Sequence, residues 1–200
     1  MLSYIFSCRK EFIMYYGAIK TSDIANGEGI RTTLFVSGCR NKCKNCFQPE
    51  TWAFDYGSPF TEEVAERVLA TLDKPHVVGL TILGGEPMEP ENQRDLLPFI
   101  REFKRRYPHK TLWVYTGNLY EELTGGVGNH YKCIEETAEL LSYIDILVDG
   151  RFVEEKKSLG LRFRGSSNQR VIDMNKTRES GEVTIWEGCK YDKKFTSAPQ

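Results

Sequence analysis

The sequence predicts an α/β chain built on a mostly parallel β-sheet, and three observations carry that prediction. Short β-branched or apolar runs alternate with segments of helical periodicity over residues 31–148, the order expected of strands joined by right-handed helical crossovers. Residues 77–83, VVGLTIL, are almost continuously apolar, as suits a parallel strand covered on both faces. Four unusual loops, holding the cysteines, Gly-Gly-Glu-Pro, Thr-Gly and Asp-Gly-Arg, each follow a predicted strand. In parallel sheets and barrels the carboxyl ends of the strands build the active site, so these distant loops are expected to meet over one mouth.

Taken in order, residues 19–24 read as a short strand, followed by a turn at Asn26-Gly27-Glu28-Gly29 with glycines where positive φ is needed. Residues 31–36, RTTLFV, are rich in β-branched and aromatic side chains and form a buried strand that leads into Cys39. Thr61 is the expected N-cap of a helix, with Glu62 and Glu63 suited to its first turn. Val64, Ala65, Val68, Leu69 and Leu72 give it one apolar face, and Asp73-Lys74-Pro75 ends it. After the strand at 77–83, a second helix is expected over much of 91–107, with Leu96, Ile100, Phe103 and Tyr107 inward. Pro98 either kinks that helix or sits in the first turn of a regular part starting near Asp95. Residues 111–115, TLWVY, form the next strand and end at Thr116-Gly117. Asn129 is the expected cap of a helix running to Ser142, with Ile134, Ala138 and Leu141 inward, before a strand at 144–148 that ends at Asp149-Gly150-Arg151. Beyond Gly150 the alternation weakens, and residues 162–170, RFRGSSNQR, read as a basic polar loop. Met14 immediately precedes the recognisable pattern. The expected division is therefore an arm or mis-called start over 1–13, one domain over 14–174, and a tail over 175–200 that is either a weak hairpin or partly disordered.

The 200 residues suit one domain with a sizeable core. With 27 basic and 28 acidic side chains the balance gives no electrostatic case for a nucleic-acid partner. No apolar run approaches a membrane span, and residues 1–13 do not have the pattern of a secretory signal. A cytoplasmic setting follows as the expectation, and with it reduced thiols that favour metal binding over disulfides. Cys8, Cys133 and Cys189 stand alone and read as structural or incidental thiols.

The chemistry is concentrated in residues 37–52, SGCRNKCKNCFQPETW. Cys39, Cys43 and Cys46 have three residues and then two between them. Several thiolates in one short loop suit a soft metal or an iron–sulfur cluster. Three ligands leave one position open, whereas a closed structural zinc site takes four. On these residues alone the alternatives are a cluster with one free iron, a zinc site completed by a distant ligand, or buried cysteines. The distant ligands on offer are His76, His109, His130, Cys133 and Cys189, none at convincing spacing. Gly84-Gly85-Glu86-Pro87 taken alone is a tight turn. Asp149 and Arg151 taken alone are a surface ion pair, Phe47 a core aromatic, and Arg40, Lys42 and Lys44 the solvated side chains of an exposed loop.

The three-cysteine spacing followed by Gly-Gly-Glu-Pro resembles the radical S-adenosylmethionine superfamily. NGEGIR, LFVSGC, CFQPETW, GGEPMEP, WVYTG, LVDGRF and RFRGSSNQR together resemble the activating proteins of anaerobic ribonucleoside-triphosphate reductases, over roughly residues 16–171. The resemblance implies an incomplete (β/α) barrel with the site at its open mouth. It implies a [4Fe-4S] cluster on Cys39, Cys43 and Cys46 whose free iron chelates S-adenosylmethionine. It further implies reductive cleavage to a 5′-deoxyadenosyl radical, and hydrogen abstraction from one glycine of the reductase, the protein partner. Gly84, Gly85, Glu86 and Pro87 are then expected at the methionine ammonium, Glu86 adding a counter-charge. Asn45, Cys46, Phe47 and Thr116 are expected to bind the cofactor, with Phe47 near its adenine, and Asp149 and Arg151 are expected at the ribose and carboxylate. Arg40, Lys42 and Lys44 would suit an acidic, flavodoxin-like electron donor, and RFRGSSNQR either contacts the reductase or is a mobile polar loop. Asn45 departs from the glycine usual before the third cysteine, although asparagine also tolerates the left-handed region. The tail is longer than the family pattern. The competing readings are an activase for another glycyl-radical enzyme, a small radical synthase of the carboxydeazaguanine type, and, from a different class, a zinc-binding interaction module.

Overall fold

A computed structural model describes residues 14–128 and 130–192. Among them, seven strands make one open sheet: β1 (Tyr15–Asp23), β2 (Ile30–Val36), β3 (Ser58–Pro59), β4 (Val77–Gly84), β5 (Thr111–Tyr115), β6 (Ile146–Asp149) and β7 (Arg170–Asp173). Their spatial order is β3-β1-β2-β4-β5-β6-β7. The central strands β2, β4, β5 and β6 are parallel, as the alternating pattern predicts. Antiparallel pairing extends the sheet on both sides, through β1 and β3 on one and β7 on the other. The architecture is α/β, with the open sheet of an incomplete barrel.

Helix α1 (Glu62–Leu72) begins where the sequence places it, with the Thr61 hydroxyl accepting from the Val64 N–H, and all five predicted apolar residues are buried. Helix α2 (Pro90–Arg106) is continuous through Pro98, so the proline does not mark its start. Pro90 occupies the first turn, where a missing N–H costs nothing. Lys104, Arg105 and Arg106 fill its last turn, the end where cations oppose the helix dipole.

The two faces of the sheet differ, and the difference follows the period of two. Leu112 and Val114 of β5, Leu147 of β6 and Ile172 of β7 join the main core with α1, α2 and α4 (Thr137–Tyr143). Their neighbours Trp113, Ile146, Val148 and Val171 face the other way and form a smaller cluster with Tyr115, Phe163 and Trp186. The Trp113 ring lies edge-on to both Phe163 and Trp186, with centroids 5.3 Å away in each case. On this second face Arg31 spans three strands. Its guanidinium donates to the Thr81 hydroxyl, the Leu80 carbonyl and both oxygens of Thr111. Burial pulls its pKa down to about 10, against smaller opposing pulls from Tyr115, Asp145, Asp23 and Glu28.

Several expectations are corrected. The first strand runs from Tyr15 rather than from Ile19. The single helix expected from Asn129 to Ser142 is replaced by a 3-10 turn at His130–Lys132 and the short α4, and a further short helix, α3 (Tyr120–Leu123), precedes it. Ala138 is exposed while Thr137 and Leu140 are buried, because the helix starts later and its phase changes. The chain beyond Gly150 is built into the fold. Residues 170–173 are the strand β7, and α5 (Met174–Ser180) follows, capped by Asp173 and closed by Gly181 at φ 75°. A 3-10 turn at Glu187–Tyr191 comes next, so the tail is not a hairpin over its described part. The 162–170 segment is tied down: the Gln169 side-chain oxygen accepts from the Gly165 and Ser166 N–H groups, and Arg164 pairs with Asp192 at 2.5 Å. The expected arm at 1–13, Cys8, the cap at Asn129 and residues 193–200 lie outside the described residues. Among the described residues no helix is long and apolar enough to cross a membrane.

Candidate active site

The cysteine loop leaves β2 through Ser37 and Gly38. Ser37 is anchored by its N–H to the Tyr15 carbonyl and by its hydroxyl to the Tyr56 carbonyl. The Gly38 N–H bonds the Thr51 carbonyl and the Cys39 N–H the Trp52 carbonyl, so the returning PETW turn clamps the start of the loop. Gly38 has φ 90°, and a Cβ there would strike the Phe54 ring. The loop then tightens through Lys42 at φ 46° and Asn45 at φ 54°. Asn45 thus occupies the left-handed region in which asparagine is among the tolerated side chains.

The glycines of the next strand end serve close backbone approach. Gly84 has φ 110°, and a Cβ on it would lie 2.7 Å from the Val36 carbonyl oxygen. The Gly85 N–H bonds that carbonyl at 2.7 Å, and the Glu86 N–H bonds the Gly38 carbonyl at 2.8 Å. The ends of β2 and β4 are therefore stitched together where the cysteine loop begins.

Glu86 is almost fully buried, and its carboxylate accepts five hydrogen bonds. One oxygen takes the Thr116 hydroxyl at 2.7 Å and the Met88 N–H at 3.0 Å. The other takes the Asn41 amide at 2.7 Å, the Gly117 N–H at 2.8 Å and the Asn118 amide at 3.1 Å. Its charge thus ties together the mouths of β4 and β5 and the cysteine loop.

These loops enclose an open cavity of about 580 Å³. Cys39, Cys43 and Cys46 line it, as do Phe47, Gly84, Gly85, Glu86 and Thr116. Phe47 is 66% exposed and packs against Phe152 at 5.1 Å between centroids, so it belongs to the mouth and not to the core. Asn45 and Pro87 are outside the lining. The structure does not bring Asp149 to the cavity: it is fully buried, its carboxylate held by the Arg170 guanidinium and the Tyr120 N–H. Arg151 is exposed, so the surface pair of these two residues is replaced by the Asp149–Arg170 pair, to which Glu121 adds a second carboxylate. Arg40 is engaged as well, by Glu89 at 2.7 Å and Glu91 at 2.5 Å, while Lys42 and Lys44 are exposed.

The donor set fits a cluster. Burial, then the Glu86 charge, pushes the Cys39 thiol up to about 11, and burial raises Cys43 as well. Coordination to iron supplies the positive charge that makes such thiols ionise. Three cavity-lining residues also carry buried polar atoms with no hydrogen-bond partner, namely Trp52 Nε1, the Tyr115 hydroxyl and Arg164 Nε. All three can donate to a polar ligand.

Sequence reasoning missed Asn41, Lys132 and the second carboxylate Glu89. Glu89 lies in GGEPMEP and was legible as an acid of that motif, but nothing local marks Lys132. Comparison with known proteins agrees with the geometry. Residues 25–172 match the family described as a 4Fe-4S single cluster domain. The chain is 40% identical over 160 residues to an anaerobic ribonucleoside-triphosphate reductase-activating protein of Pasteurella multocida, covering 79% of this chain and 94% of that one. The protein of the same name from Escherichia coli K12 is 35% identical over 160 residues, covering 79% and 97%. That of Enterobacteria phage T4 is 33% identical over 158 residues, covering 79% and 93%. With these extents, and with the three cysteines at the mouth of an open α/β sheet, the chain belongs to the anaerobic ribonucleoside-triphosphate reductase-activating proteins, radical S-adenosylmethionine proteins with a [4Fe-4S] cluster.

Proposed function

We propose that this chain activates an anaerobic ribonucleoside-triphosphate reductase by generating a glycyl radical on it. The observation that carries this reading is the convergence of Cys39, Cys43 and Cys46 with Gly84, Gly85 and Thr116 on one open cavity. Cys39, Cys43 and Cys46 would hold the [4Fe-4S] cluster, and Gly84, Gly85, Phe47 and Thr116 lie where S-adenosylmethionine would fit. When bound, the cluster supplies the electron that cleaves S-adenosylmethionine to the 5′-deoxyadenosyl radical. The protein's own contribution is position and exclusion of water, since a carbon radical reacts with almost any nearby C–H bond. Glu86 fixes the loops around the cavity through its five hydrogen bonds. We assign Asp149 and Pro87 to the frame of the site and not to cofactor contact.

The second face of the sheet is covered by Phe163 and Trp186 over β5, β6 and β7. Toward β1 the cavity wall is made by exposed Lys20 and Ala25, with Asn26 and Phe35. The opening on that side is the natural entry for a glycine loop of the reductase. Exposed Lys42 and Lys44 suit an acidic, flavodoxin-like donor on the cysteine side, in a cytoplasmic setting. The test is to mix the reduced protein with S-adenosylmethionine and its cognate reductase. The expected result is a glycyl-radical doublet in the EPR spectrum, absent when the reductase glycine is changed to alanine. Rapid 5′-deoxyadenosine formation with a small pterin and no radical on the reductase would refute the assignment.

A further inference from the structure

Behind the cavity lies a buried cluster of charges. Lys132, in the 3-10 turn before α4, has 2% side-chain exposure and faces Glu86 at 1% and Glu89 at 0%. Its ammonium is 3.2 Å from Glu89 Oε1, 3.6 Å from Glu86 Oε2 and 3.2 Å from the Asn41 side-chain oxygen. The residue is fixed from behind, because its carbonyl accepts from the Gln93 amide at 2.7 Å and from the Thr137 hydroxyl at 3.0 Å. Both carboxylates in turn hold the cysteine loop. Glu89 accepts from the Arg40 backbone N–H at 2.9 Å, and Glu86 from the Asn41 amide at 2.7 Å.

The charges do not balance without Lys132. Glu89 is also met from the solvent side by the Arg40 guanidinium, which is 46% exposed and shared with Glu91. Glu86 accepts otherwise only from neutral donors, so Lys132 is the one buried cation in reach of it among the described residues. A buried carboxylate stripped of its counter-charge is an uncompensated charge in a low dielectric. Here it would sit against the loop that carries the iron ligands. Cluster potentials depend on net charge, hydrogen bonding and exposure around the sulfurs.

We propose that Lys132 is a positioning residue that balances Glu86 and Glu89 behind the cysteine loop and thereby sets the reduction potential of the cluster on Cys39, Cys43 and Cys46. The proposal rests on the cluster reading and deepens it. The experiment is an EPR-monitored redox titration of the full chain, reconstituted anaerobically, with iron and sulfide counted first. Lys132→Gln keeps a donor toward Asn41 but removes the charge, and its midpoint is expected to shift to lower potential. Glu89→Gln removes a negative charge, and its midpoint is expected to shift upward. Opposite signs are the signature, because mere structural damage gives no reason for the two variants to diverge. Unshifted midpoints, or shifts of the same sign, overturn the proposal. Should Lys132→Gln fail to fold, Lys132→Arg decides together with Glu89→Gln. A near-wild-type midpoint in the first with an upward shift in the second supports the role, and any other pair of results overturns it. Wild-type protein that takes up no iron and sulfide would sink the cluster reading itself, which is a separate outcome.

Discussion

Replacing Gly85 with alanine tests what the glycine pair is for. Gly85 does not lie in the left-handed region, so alanine is allowed by its backbone and the cost is one of space. A Cβ would stand 2.7 Å from the Gly38 carbonyl oxygen, 3.0 Å from that of Thr51 and 3.1 Å from the Gly38 carbonyl carbon. These are backbone atoms at the entry to the cysteine loop and in the turn that returns from it, held by the bonds from Glu86 to Gly38 and from Gly38 to Thr51. Overpacking of this kind costs about 1–3 kcal/mol, and loss of one of those hydrogen bonds adds about 1 kcal/mol. Restriction of the unfolded chain by alanine returns roughly 0.4–1 kcal/mol. The net destabilisation is then about 1–3 kcal/mol, or a fall in Tm of roughly 3–10 °C for a chain of this size. Thermal unfolding of the cluster-free chain reads the first effect. Iron per chain after anaerobic reconstitution reads the second, which should also fall because Cys39 follows Gly38 directly. An unchanged Tm and full iron content, with only S-adenosylmethionine binding lost, would refute this reasoning and make Gly85 a ligand contact alone.

Two further outcomes follow from particular residues. Asn45→Gly should load its cluster as well as wild type, whereas Asn45→Val places a β-branched side chain at φ 54°, at a cost of about 1–2 kcal/mol, and should load more slowly in a timed iron-uptake assay. Equal rates for the two variants would show that the loop does not need the left-handed turn. Glu102, bonded by Arg105 and then Arg106, has its pKa held down to about 2 from the model-peptide value of 4.5. A depressed carboxylate stabilises the fold above its unfolded pKa and loses that contribution as pH falls from 4.5 toward 2. Arg105 is 69% exposed, so screening limits the effect to about 1 kcal/mol. Glu102→Gln should therefore flatten the urea-unfolding stability over that pH window and leave its slope near pH 7 unchanged, and an unaltered acid slope would contradict the pairing.

What the sequence makes legible are features whose signal is local. The cysteine spacing, the Thr61 cap and the apolar faces of α1 and β4 each lie within one short window and appear in the structure where expected. The failures are places where partners come from afar. Asp149 beside Arg151 looked like an ion pair because the two are close in sequence, but β6 ends at Asp149 and Gly150 turns the chain at φ 94°, so Arg151 no longer follows the strand. Asp149 turns inward to Arg170, on the strand β7 that pairs with its own, and that strand is too short to announce itself by periodicity. The helix expected up to Ser142 failed because a cap at Asn129 and the spacing of three apolar residues were weighed without the demand of one residue between them. Lys132 must face Glu86 and Glu89, and it does so from a 3-10 turn, with its carbonyl spent on Gln93 and Thr137. A regular helix would have taken that carbonyl for its own ladder. Lys132 and the Asn41 it reaches are 91 residues apart. Only the fold shows that the acids of GGEPMEP, which the motif presents toward a ligand, are first the anchors of the cysteine loop.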